Sequence, residues 1–377
     1  MSDHDPLGVR KYFPVVEEAT FLASASVCPS PIPAVEVGLD FVRAKGGIPY
    51  DLDDMLDKCA EVRGQFGRLI NAKQEEMGLI YTTSEAENII VAALDLKPGD
   101  NIVTDDLHYS ASYVIYEQLA KRGIEIRMTK REGLASKPAD FEPLVDQNTR
   151  LLSVAWVSHQ TGFYHDLRPL ADLVHSVGGY IYADVIQGVG MVPLDVRAAD
   201  LDFCAAGSYK WTLGNFGVAN FFVRESLLPM FTPDRYGYFH VKQKLGKMEH
   251  IIHPDGRKFM YATPAFGSVY QLSAGLEFIE QVGINNIAKH VVGLAQYLRS
   301  GLARLGFDIL TPEENGSAIV AFKHGADPVT VKKTLKQENV HVNFREADTQ
   351  IRIGSALFNN TAELDRFLDV MGQFAPA

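Results

Sequence analysis

Cysteine is scarce in this chain. Cys28, Cys59 and Cys204 are an odd set of three among 377 residues, with no CxxC or zinc-ligand spacing, which excludes a disulfide framework. No apolar run approaches the roughly 20 residues that a membrane-spanning helix needs, and the opening MSDHDPLGVRKYFP is too polar for a signal peptide. Basic clusters are missing too: the formal net charge is −11, which argues against a nucleic-acid surface. Gly188 and Gly190 do not make a dinucleotide fingerprint, and no phosphate-binding P-loop is present, so a NAD-dependent dehydrogenase is excluded. His250, His253 and Asp255 form one short HxxHxD cluster in an irregular region, and no metal is expected from it. What remains is 46% hydrophobic and 22% charged residues, the composition of a globular cytoplasmic enzyme without membrane or nucleic-acid partners.

The chain is long enough for a large domain and a smaller one. Residues 1–20 read as an arm with a short helix. FLASASVCPSPIP (Phe21 to Pro33) is a loop of small residues leading to a helix near Ala34 to Lys45. In the next helix Met55, Cys59, Val62, Phe66, Leu69 and Ile70 share one face. Strands and helices then alternate from MGLIYTT to DFCAAG, and SEAENIIVAAL is predicted as a helix opened by Ser84. VANFFVR closes the series as an antiparallel strand. The alternation predicts an α/β fold with a mostly parallel seven-stranded sheet covered by helices on both faces, whose ligand crevice lies at the carboxyl ends of the strands. Residues 15–265 are assigned to this large domain. Residues 266–377 follow as a small α+β domain, with the arm at 1–14.

The stretch from Tyr180 to Gly217 carries the chemistry. One apolar run delivers Asp184, with Gln187 three residues on, and a second delivers Lys210 after Gly-Ser-Tyr. An acid and a lysine at two strand ends suit pyridoxal 5′-phosphate (PLP), which needs an anion at its pyridine nitrogen and an amine for its aldehyde. A helix-capping Asp and a solvated Lys fit the spacing equally well. Thr83 joins the pair at a third strand end, which favours the cofactor.

The blocks YTTSEAENI, YADVIQG, GSYKWTLGNFG, YATPAF and IRIGSALFNN, in this order, resemble the class V aminotransferase family of fold-type-I PLP enzymes. GSYKW and FLASASVCPSP are most similar to its isopenicillin-N epimerase, selenocysteine lyase and cysteine desulfurase-like branch. The resemblance implies the fold-type-I transferase architecture and a homodimer with its active site near the subunit interface. It makes Lys210 the Schiff-base lysine, Asp184 the partner of the pyridine nitrogen, and Gln187 a ligand of the ring 3′-oxygen. Thr83 and Ser84 at a helix start, Ser208 and Tyr209 are implied for the phosphate, and Thr263 for the phosphate of the partner subunit. Ala262 stands beside it where the family has glycine. Tyr109 is implied as the aromatic on the pyridine face, with neighbouring His108 as its rival. His159 and Gln160 lie in the loop that approaches the 3′-oxygen, and Arg352 matches the arginine that grips the substrate carboxylate.

The resemblance leaves the reaction open. Desulfurases similar to this chain carry a nucleophilic cysteine shortly before the carboxylate arginine. VHVNFREADTQ has none there, so persulfide chemistry is not expected. The resemblance places Cys28 in an N-terminal segment that lines the active site in relatives, where packing is its expected role, and Cys204 is expected on a buried strand. The expected function is an epimerase or a β-eliminating (C–S type) lyase acting at Cα of a small amino acid or derivative. A class V aminotransferase is the alternative, and a non-catalytic binding protein a further one, against which intact Lys210, Asp184 and Arg352 speak.

Overall fold

The computed structural model describes residues 5–131 and 133–376; the first four residues of the expected arm lie outside the described residues. Seven strands form one sheet in the order Met77–Ile80, Ala219–Val223, Phe203–Gly207, Tyr180–Asp184, Thr149–Ala155, Asn101–Thr104, Glu125–Met128. All pairings are parallel except those of Ala219–Val223, which runs antiparallel to both neighbours. The central strands are buried on both faces, as their continuous apolar runs require. One core cluster, with Trp156, Val185 and Leu272, fills one side; a second, with Ile90, Tyr182 and Phe221, fills the other.

Helices follow Met77–Ile80, Asn101–Thr104, Glu125–Met128 and Thr149–Ala155, while Tyr180–Asp184 and Phe203–Gly207 lead into turns; the pairing directions put the carboxyl ends of all these strands on one edge. Helix Thr83–Ala93 is opened by Thr82, not Ser84: the Thr82 hydroxyl accepts from the Glu85 N–H at 3.1 Å. Thr83 and Ser84 therefore occupy the first two helical positions. Tyr109 occupies the corresponding cap position of helix Ser110–Ala120.

The C-terminal part builds a four-stranded antiparallel sheet, Asp308–Ile309, Ile319–Lys323, Gln350–Gly354, Asn343–Arg345, packed on helices Ile284–Arg304, Pro328–Gln337 and Thr361–Gly372. The N-terminal segment belongs with it in space. Thr20–Phe21 pairs in parallel with Val340–His341, and Ala23 bridges Gly354. Helix Phe266–Val282 packs against Ile32–Gly46 and Leu52–Leu69 and contributes Phe266, Val269 and Leu272 to the large core. Within the irregular stretch before it, Val241–Lys244 and His250–Ile252 form a short hairpin. No helix of the described residues is long and apolar enough to cross a membrane.

Candidate active site

A cavity of about 340 Å³ opens at the carboxyl edge of the large sheet. This is within the range of small-molecule and cofactor sites. Lys210 reaches it from the turn after Phe203–Gly207, and Asp184 from the end of its own strand. Thr83 and Ser84 present a helix N-terminus, and Tyr109, His159 and Tyr209 add rings.

Lys210 is buried, its Nζ 5.7 Å from the centre of the Tyr209 ring. Burial lowers its amine to about 8; Asp184 opposes this, while Arg352 and Arg345 add to it. Burial likewise pushes the Asp184 carboxyl above the usual carboxylate range, against the pull of His108, the Ile186 N–H and Lys210. Its Oδ1 accepts the Ile186 N–H at 3.0 Å, and among the described residues no cation pairs with it within 4.0 Å.

Gln187 is buried and spans two elements. Its Nε2 donates to the Ala25 carbonyl at 2.9 Å and its Oε1 accepts from Trp211 Nε1 at 2.9 Å. One N–H of the amide remains for a ligand. Tyr109 lies at the cavity mouth, 43% exposed, with the His159 ring edge-on at 5.1 Å. Its rival His108 is fully buried behind it: Nδ1 accepts the Tyr109 N–H at 2.7 Å, and Nε2 lies 3.1 Å from Ser153 Oγ. Tyr209 stacks on Phe216 at 4.5 Å.

One expected ligand is placed elsewhere. The Ser208 hydroxyl is wholly buried and donates to the carbonyls of Asn215 and Val218, which ties down the 212–218 loop. Strand alternation turns Gly207, not Ser208, toward the cavity, where a Cβ would lie 3.0 Å from Ile186 and 3.2 Å from Tyr209. Thr263, implied for the phosphate of a partner subunit, does not line the cavity of its own chain. It borders a neighbouring apolar recess with Phe41 and Tyr50, and its carbonyl accepts from the Tyr81 hydroxyl at 2.9 Å.

His159 lies inside the cavity, and its Nδ1 is enclosed without a partner. Burial pushes its pKa down to about 3, assisted by Arg352, Arg345 and Lys210, so the ring is neutral. Arg352 is buried behind it. Nη1 donates to the His159 carbonyl at 2.6 Å, and Nη2 to Ser26 Oγ at 2.8 Å and Asn343 Oδ1 at 2.9 Å. Burial and Arg345 push its pKa down to about 9, which leaves it protonated at neutral pH.

A buried amine, a buried carboxylate without a counter-cation, a helix N-terminus and an orphaned imidazole nitrogen around one cavity fit PLP. Comparison with known proteins agrees. The class-V aminotransferase profile matches residues 51–365. A probable cysteine desulfurase of Methanothermobacter thermautotrophicus is 26% identical over 87% of this chain and 84% of its own. The uncharacterized aminotransferase YcbU of Bacillus subtilis is 25% identical over 97% of both chains. The apo cysteine desulfurase of Thermococcus onnurineus shares the fold with a TM-score of 0.88 at 22% identity, over 97% of both chains. A second solved structure, a lysine-to-alanine mutant of C-DES, has glycine linked covalently to its PLP; its TM-score is 0.89 at 18% identity, over 96% of this chain and 98% of its own. The chain thus belongs to the class-V aminotransferase family and is a PLP-dependent enzyme.

Proposed function

We propose that the protein is a β-eliminating lyase, which removes the Cα proton of a small amino acid and releases a sulfur-type leaving group from Cβ. PLP, when bound, supplies the electron-withdrawing ring that makes this proton removable. Asp184 is the anion for the pyridine nitrogen. Thr83, Ser84 and Tyr209 hold the phosphate, Tyr109 covers a ring face, and Gln187 with His159 borders the 3′-oxygen. Lys210 holds the cofactor covalently at rest and serves as the base at Cα. An amine with a pKa near 8 both takes and returns a proton at physiological pH. Arg352 receives the α-carboxylate in a planar fork.

The observation that carries the lyase reading is the state of the thiols. All three cysteines are buried, and burial holds them protonated: Cys28 and Cys59 are pushed up to about 12, and Cys204 is raised as well. The segment 339–350 contains no cysteine. The desulfurase relatives support C–S bond chemistry, but no thiolate here can accept the sulfur. The leaving group then departs with its bonding pair and a proton. L-Cysteine and water give pyruvate, ammonia and hydrogen sulfide, with no change of oxidation state overall.

The test is the product formed by the holoenzyme from L-cysteine and from other β-substituted alanines, with no 2-oxo acid added. Pyruvate and ammonia over many turnovers support the lyase. Alanine with a protein-bound persulfide overturns it in favour of a desulfurase, and racemised substrate in favour of an epimerase. A transaminase is the second reading, favoured by the YcbU relative. It would show as a single turnover that bleaches the cofactor band until a 2-oxo acid is supplied.

A homodimer is part of the same reading. Val35, Leu39 and Val42 line one exposed helix face at i, i+4 and i+7, and Ile48, Tyr109 and Phe216 are exposed as well. A second chain covering this surface would bring Thr263 to its partner's phosphate. Sedimentation at a single-chain mass would refute it.

A further inference from the structure

Strand Asn343–Arg345 pairs antiparallel with Gln350–Gly354, and Asn343 lies directly opposite Arg352. Side chains alternate along a strand, so Arg345, two residues beyond Asn343, shares the face of Arg352 and is its diagonal neighbour. Phe344 takes the other face, against the small-domain core. The two guanidinium groups meet at one hydroxyl: Ser26 Oγ lies 2.8 Å from Arg352 Nη2 and 3.5 Å from Arg345 Nη2. Among the described residues neither arginine has a carboxylate within 4.0 Å. Each has an Nε enclosed without a hydrogen-bond partner. Asp348, nearby in sequence, does not help, because it is paired with Lys332 at 2.5 Å. Glu346, Ala347 and Asp348 are all left-handed (φ 47°, 50° and 68°), and the turn is tied by Thr349 N–H to the Glu346 carbonyl at 3.1 Å. Non-glycine residues adopt that conformation at a cost, and here it halts the strand with Arg345 at its last position.

Like charges packed together without an anion are unfavourable, and a buried unpaired charge more so. The α-carboxylate of an ordinary amino acid satisfies one guanidinium and leaves the other. We propose that the substrate is an amino acid with a second carboxylate, the α-carboxylate held by Arg352 and the distal one by Arg345, both bridged by Ser26. The α-carboxylate assignment rests on the functional reading above. The distal subsite, formed by Arg345, Ser26 and the free Nε edges, is additional to it. Arg345 and Arg352 both act on the Lys210 amine and the His159 ring, which puts the pair within electrostatic reach of the reacting centre.

The test is equilibrium binding of two unreactive probes, glutarate and butyrate, to the holoenzyme by calorimetry. Glutarate is expected to bind at least about tenfold more tightly than butyrate, the value of one further charge-assisted contact. Arg345→Gln should bring glutarate down to the butyrate level and leave butyrate unchanged; Arg345→Lys should restore part of the preference. Equal affinity of the unmodified enzyme for the two probes, or a preference that survives Arg345→Gln, would make Arg345 a solvated cation and overturn the proposal. Arg352→Gln separates the two readings: it should abolish butyrate binding. Intact butyrate binding there removes the α-carboxylate assignment, whatever Arg345 does.

Discussion

Trp211 Nε1 donates to Gln187 Oε1 at 2.9 Å, and the same amide donates through Nε2 to the Ala25 carbonyl. A residue from the strand-end turn thus fastens the N-terminal segment to the residue that follows Lys210. Gln187→Ala removes both buried contacts and leaves an indole N–H and a carbonyl unpaired. The expected loss is about 2–3 kcal/mol of stability, with a red-shifted tryptophan emission. Denaturant unfolding of the cofactor-free protein followed by fluorescence measures both; an unchanged midpoint would mean that the segment is held by other contacts.

Lys210→Ala should abolish the borohydride-fixable attachment of PLP to the protein while the fold persists, because the side chain makes no structural hydrogen bond among the described residues. Mass spectrometry after reduction checks this. An adduct of undiminished yield would move the role to another lysine.

Asp184→Asn is close to isosteric and removes a buried carboxylate whose pKa is raised by burial. A raised acid contributes stability below its unfolded value and loses it as pH rises through the folded value, so at neutral pH the ionised form burdens the cofactor-free protein. The variant should have an equal or higher Tm and a kcat lower by about 100-fold, since the charge opposite the pyridine nitrogen is gone. An unchanged kcat would exclude Asp184 from the ring nitrogen.

The Lys210 amine, lowered to about 8 from an ordinary 10.5, is protonated below that point and free above it. In cofactor-free protein its acetylation rate should rise with a midpoint near 8. Between about 8 and 10.5 the unfolded chain holds a proton that the folded one lacks, so the Lys210 contribution to stability is complete above 10.5 and disappears as pH falls through 8. A midpoint above 10 would mean that burial does not govern this amine.

Much of the fold was legible because its signals are local. The apolar runs around Thr149–Ala155, Tyr180–Asp184 and Phe203–Gly207, with the helical faces that precede and separate the earlier strands, encode a parallel sheet, and the position after each run marks the crevice. Lys210, Asp184 and Thr83 were therefore expected at the crevice from their places at strand ends, and Tyr109 from the family resemblance, and all four were brought to its wall. Ser208 was not, because one step of strand alternation decides whether a hydroxyl faces the cavity or the loop behind it, and Gly207 has no side chain to announce the choice. Thr82 was missed as the cap because Thr82, Thr83 and Ser84 are all competent caps, and backbone geometry alone selects among them. The short pairings Thr20–Phe21 with Val340–His341 join residues more than three hundred positions apart, with no local pattern to reveal them.

The amino-acid sequence by itself determined the α/β class, the family and the cofactor, since each rests on short-range periodicity or on contiguous blocks. Only the tertiary structure decided that His159 enters the cavity, that Gln187 is shared with Ala25 and Trp211, and that Arg345 stands beside Arg352 without an anion. Those relationships join the large sheet, the small sheet and the N-terminal segment. Burial, which shifts the ionisation of Lys210, Asp184 and His159, exists only once those three parts have closed around one space.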